Sequence, residues 1–137
     1  MANFAKTHIG NESRVELHEV LGLTGAEVSV NNLPAGAGVP FVHVHKENEE
    51  INGVLEGTGS VTIDGEDIEL GAGDWLRISP AAHRQFRAAS DSGITYVCIQ
   101  VKQGPLMPSR PTTLSCSNSR LVCKGPIPPA CPLRNRR

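Results

Sequence analysis

The sequence predicts an all-β domain closed into a jelly-roll barrel, and three observations lead there. From about Phe4 to Lys102, short apolar-alternating runs are punctuated by Gly, Pro, Asn and Asp, which is the pattern of strands and tight turns. The hydrophobic fraction is 39% with only 4% aromatic, so a core must be built mainly from Val, Leu, Ile and Ala, a palette that suits strands and small barrels. The 137 residues are enough for one hydrophobic core and too few for two. Many short strands around one core favour closure, which removes the unpaired edges an open sheet must protect.

In chain order, strands are expected at residues 14–20, 27–31, 39–45, 51–56, 60–63, 67–70, 75–78, 84–88 and 94–102. The first has a rival: Leu17, Val20 and Leu21 fall at i, i+3, i+4 spacing, so residues 16–21 can form one or two helical turns that Gly22 would end. The clearest hairpin is Val61-Thr62-Ile63-Asp64-Gly65-Glu66, where Asp-Gly supplies the positive φ angles of a two-residue turn. Cys98, between Val97 and Ile99 in the last strand, reads as a buried thiol with no neighbouring cation to activate it.

Charge divides the chain. Residues 1–103 hold seven Lys/Arg against all fourteen Asp/Glu, whereas residues 104–137 hold six Lys/Arg and no acid. An acidic body argues against nucleic-acid binding, which needs clustered Lys or Arg on the binding face. Seven of the ten prolines and three of the four cysteines also lie beyond residue 103. The expected organisation is therefore a barrel domain at 1–103 and a Pro/Arg-rich basic tail at 104–137 that is disordered, because proline removes ladder donors and favours polyproline geometry. A basic arm for an acidic partner and an out-of-frame end are the other readings of this tail. Its cysteines, with six and seven residues between neighbours, do not match zinc-finger spacing. The start of the sequence has no signal-peptide pattern and no run approaches the ~20 apolar residues of a membrane span, so a soluble, cytoplasmic protein without membrane contact is expected.

Three of the five histidines form one pattern. His43 and His45 are separated by one residue, which in a strand aims both rings at the same face. Glu50 opens the next apolar run, and a neighbouring antiparallel strand can bring its carboxylate beside them. A third imidazole can come from His83, after the Gly73-Asp74-Trp75 turn. Three imidazoles and a carboxylate suit a divalent transition metal (Mn, Fe, Co, Ni, Cu or Zn) and not Ca or Mg, which prefer oxygen cages. His8 and His18 lack partners at ligand spacing.

The stretch from His43 through Glu50 to Gly57 resembles the first motif of the cupin superfamily, H-x-H-x(3,4)-E-x6-G. The stretch from Gly73 to His83 is similar to the second, G-x5-P-x-G-x2-H-x3-N. Two residues separate Pro80 from His83 where the motif has four, an alanine replaces its second glycine, and Arg87 stands in place of Asn. The resemblance covers roughly residues 20–102. It implies a small cupin barrel that binds metal through His43, His45, Glu50 and His83, and it selects Glu50 over Glu49 because Gly57 lies seven residues past Glu50. It also implies a small-molecule ligand or substrate in the barrel mouth and a homodimer. Two function classes follow: a metal-dependent dioxygenase, isomerase or decarboxylase, or a non-catalytic module for ligand sensing, storage or dimerisation.

Overall fold

Asp64 and Gly65 both adopt positive φ, 49° and 88°, the requirement of a tight hairpin turn, and they join the longest strand to its neighbour. The computed structural model describes residues 3–105, so the expected tail lies from Leu106 onward outside the described residues. The elements are β1 (Arg14–Glu16), α1 (His18–Leu21), β2 (Glu27–Leu33), β3 (Asn48–Ile63), β4 (Glu66–Gly71), β5 (Trp75–Ile78), β6 (Arg84–Ala88) and β7 (Ile94–Lys102). None of the described residues forms a helix long and apolar enough to cross a membrane.

All strand pairs are antiparallel. One sheet runs β1-β2-β7-β3-β5, and the C-terminal part of β3 pairs with β4 and β6 in a second. The switch is made inside β3, where the register against β7 shifts between Val54 and Glu56 and Gly57 has φ 80°. A Cβ on Gly57 would stand 1.9 Å from the Gly93 carbonyl oxygen; the bend therefore needs glycine for both its angle and its close approach. The two runs expected at 51–56 and 60–63 are one bent strand, and the fold is the jelly-roll barrel.

Two local expectations are resolved by the hydrogen-bond pattern. The run expected as a strand at 14–20 stops at Glu16 and turns into α1, and Gly22, left-handed with φ 65°, ends that helix. The segment expected as a strand at 39–45 is not a regular strand: it touches β6 through isolated bridges, Gly38 to Arg87 and His43 to Arg84. Five steps on one side match three on the other, and Pro40, which has no N–H to donate, lies in the loosened stretch.

The interior is divided along β3. Val54 and Val61 join Leu70, Ile78, Phe86, Ala88 and Ile94 in an apolar core, with the Phe86 and Tyr96 rings stacked at 4.6 Å between centroids. Towards the start of β3 the inward positions turn polar: Glu50, Asn52, Asn31, Ser29 and Arg84 are all buried. Gly53 faces outward, where the Trp75 ring of its cross-strand partner lies against it; a Cβ there would come within 2.5 Å of that ring. Trp75 thus packs on the glycine from outside.

Candidate metal centre

The polar end of the barrel holds the histidine pair. The His43 N–H donates to the Arg84 carbonyl (3.2 Å), the Arg84 N–H returns a bond to the His43 carbonyl (3.1 Å), and the His45 N–H donates to the Pro80 carbonyl (3.0 Å). These main-chain bonds, rather than a continuous strand, hold both rings over the first residues of β3. Glu50, on β3 and only 2% exposed, lies beneath them. His45 Nε2 donates to Glu50 Oε1 at 2.6 Å, and His43 Nε2 lies 3.7 Å from the same oxygen. One ligand atom from each of the three residues falls within 4.8 Å of the others. Ligands around a transition metal at ~2.0–2.2 Å stand about 3 Å apart, so these residues fit such an ion with small adjustments. Burial lowers the His43 pKa, against the pull of Glu50, which favours the neutral imidazole that a metal requires.

The structure does not bring His83 to this cluster. Its ring is 68% exposed, with Nδ1 3.5 Å from Asp64 Oδ1, and its backbone N–H donates to the same carboxylate oxygen at 2.9 Å. His83 therefore closes the end of the β3–β4 turn. Strand parity gives the reason: Arg84, Phe86 and Ala88 point inward on β6 and the odd positions do not. A slip of one residue exchanges the two faces of a strand. The residue that reaches the site from β6 is Arg84, which is fully buried, with Nε 3.4 Å from Glu50 Oε2. Asn52 Nδ2 approaches the same oxygen at 3.4 Å. One carboxylate oxygen of Glu50 thus faces the imidazoles and the other faces Arg84 and Asn52.

A cavity of about 530 Å³ opens above the cluster, with His43, His45 and Glu50 in its lining. Asn31, Asn52 and Gln100 supply polar groups, while Leu33, Phe41 and Phe86 supply apolar walls. Tyr96 and Cys98 also line it, whereas Gln85, which shares parity with His83, instead donates to the Val39 carbonyl at 2.8 Å. Burial raises the Tyr96 pKa and pushes the Cys98 thiol up to about 12, so neither group serves as a base or nucleophile near neutral pH. Sequence reasoning missed Arg84, Asn52 and Asn31. For Arg84 the signal was present: counted from Gly73, the second motif's histidine position falls on residue 84.

A jelly-roll barrel with two imidazoles and a carboxylate converging at its polar end defines a class of small barrel proteins with an interior ligand site. The chain belongs to the cupin domain family, whose model matches residues 29–100. A solved cupin protein from Bacteroides fragilis is 60% identical, covering 85% of this chain and 99% of its own, with a TM-score of 0.78. More distant structures share the fold. A sugar phosphate isomerase from a cupin superfamily of Silicibacter pomeroyi is 21% identical over 73% of this chain and 69% of its own, TM-score 0.59. A predicted oxalate decarboxylase from Thermotoga maritima is 20% identical over 57% and 65%, TM-score 0.50. A comparison with curated proteins gives no significant match.

Proposed function

We propose that the protein holds a divalent transition metal (Mn, Fe, Co, Ni, Cu or Zn) through His43, His45 and Glu50 and acts on a small polar organic molecule in the cavity above it. The observation that carries this reading is the convergence of three ligand atoms within 4.8 Å at the floor of that cavity. When bound, the ion supplies Lewis-acid polarisation of a substrate oxygen. Glu50 serves as a ligand and not as a free base, because one oxygen faces the imidazoles and the other the buried cation of Arg84. Asn31, Asn52 and Gln100 orient the molecule, and the apolar walls exclude water. Three protein ligands leave coordination positions open, which distinguishes a working site from a closed structural one.

The enzymatic reading is tested first by elemental analysis of protein purified without added metal, where about one equivalent of a transition metal is expected and none would overturn the reading. Candidate substrates are then screened under air and under argon for oxygenation, isomerisation and decarboxylation. The last two are reactions of the kinds named for the distant structural neighbours. A small molecule that is retained and returned unchanged in every assay would support the alternative, a module for sensing or storage.

We also propose a homodimer formed through the outer face of the larger sheet. Two cross-strand rows run over that face: Val28, Ile99 and Ile51, ending on Arg77, in one, and Val30, Val97, Gly53 and Trp75 in the other. Trp75 is 59% exposed and Ile51 36%, an apolar surface on a sheet that a second copy would cover. Light scattering should give twice the chain mass for the wild type and a single chain mass for Trp75→Glu.

A further inference from the structure

One buried residue of the centre offers no ligand atom to an ion. Arg84 is 0% exposed, yet only its Nη2 is bonded, to the Ser79 carbonyl at 3.0 Å. Its Nε and Nη1 have no hydrogen-bond partner. Burying a guanidinium with two unpaired nitrogens is unfavourable, and a buried ion pair is weak ground for stability. Its placement is nonetheless fixed. Arg84 exchanges two main-chain hydrogen bonds with His43, so the two side chains leave the same face of the pair, one beside the other. Counted from Gly73, it also stands at the position that the family's second motif gives to a histidine. In this chain a fixed positive charge replaces that ligand.

Glu50 and Arg84 are both buried, 3.4 Å apart, and cancel. The imidazoles are neutral when they bind an ion. Among the other charged groups lining the cavity, Arg14 is paired with Glu16 at 2.9 Å. A divalent ion held by His43, His45 and Glu50 would therefore keep both of its positive charges uncompensated beside the apolar walls of Leu33, Phe41 and Phe86. It would also have a coordination position that no third imidazole among the described residues fills. A neutral molecule can fill the position but leaves the charge. A small oxyanion fills the position and lowers the charge.

We propose that Arg84, by replacing a fourth protein ligand with a buried positive charge, makes the ion-loaded pocket a receptor for a small oxyanion of the carboxylate or phosphate class. Arg84 is a positioning residue here. It holds Glu50 Oε2 and leaves Oε1 for the ion, while the oxyanion itself meets the ion and the cavity-lining amides. This deepens the metal reading above and rests on it.

The test is a Co²⁺ titration of the full chain followed by visible absorption, alone and with acetate, methyl phosphate or the neutral isostere acetamide. Acetate or methyl phosphate should tighten Co²⁺ binding tenfold or more and change the spectrum, and the stronger of the two names the oxyanion. Acetamide should do neither. Arg84→Lys should keep the coupling, whereas Arg84→His should bind Co²⁺ more tightly without any anion and lose most of it. Equal effects of acetate, methyl phosphate and acetamide on the wild type would overturn the proposal while the metal site stands, and that comparison needs no variant to fold. Absence of a Co²⁺ spectrum under every condition would overturn the metal reading and this proposal together.

Discussion

Arg84→Met isolates the buried charge pair in the metal-free protein. It removes the guanidinium and leaves Glu50, 2% exposed, without the cation that stands 3.4 Å from its Oε2. At that distance and an effective dielectric constant of ~20, the attraction is about 5 kcal/mol. Removing one member of a buried pair costs about 3–5 kcal/mol because the other charge is left uncompensated. Since small domains are stable by only ~5–15 kcal/mol, this is a large fraction of the total. The double variant Arg84→Met with Glu50→Met removes both charges, and it should regain most or all of the wild-type stability, as replacement of buried pairs by apolar residues is often neutral or stabilising. The assay is urea unfolding at pH 8 with a chelator present. A loss below ~1 kcal/mol for the single variant, or a double variant no more stable than the single, would refute the reasoning.

Three further outcomes follow from the geometry. His83→Ala should leave metal content unchanged, since the ring sits with Asp64 at the barrel end, whereas His45→Ala should strip the ion; elemental analysis of both variants decides. Gly57→Ala places a Cβ 1.9 Å from the Gly93 carbonyl oxygen at φ 80°, and its unfolding free energy should fall by more than ~3 kcal/mol. With Cys116, Cys123 and Cys131 changed to Ser, Cys98 should resist thiol reagents at pH 8: a thiol pushed up to about 12 is only about one part in ten thousand thiolate there. Its labelling rate should rise about tenfold per pH unit in the folded protein, and rapid labelling at pH 8 before unfolding would contradict the burial argument.

How much of this was legible in the sequence depends on which signals are local. The Asp64-Gly65 turn, the strands at 75–78, 84–88 and 94–102, and the helical turn before Gly22 follow from short-range pattern, and the structure has them at those residues. The bend in β3 did not show as one strand, because Gly57 reads as a break until its contact with Gly93 is known. The segment at 39–45 alternates like a strand, but Pro40 and the two-residue mismatch against β6 prevent regular pairing. His43, His45 and Glu50 were marked by their spacing and by the first cupin motif. His83 is the histidine that follows the Gly73-Asp74-Trp75 turn, whereas the second motif measured from Pro80 puts its histidine on residue 85. Measured from Gly73, that motif's histidine position falls on Arg84, which agrees with the burial of Phe86 and Ala88 on the same face. Period-two patterning resolves faces only when the register is anchored, and the histidine of this stretch lies one residue off the inward set of β6.

The most direct test of the central claim is crystallography of the full chain at the absorption edge of the metal it carries from purification. An anomalous difference peak is expected between His43 Nε2, His45 Nε2 and Glu50 Oε1, at ~2.0–2.2 Å from each, with Arg84 still paired to the other oxygen of Glu50. An empty position there in fully folded protein, or a peak beside His83 and Asp64 instead, would contradict the account.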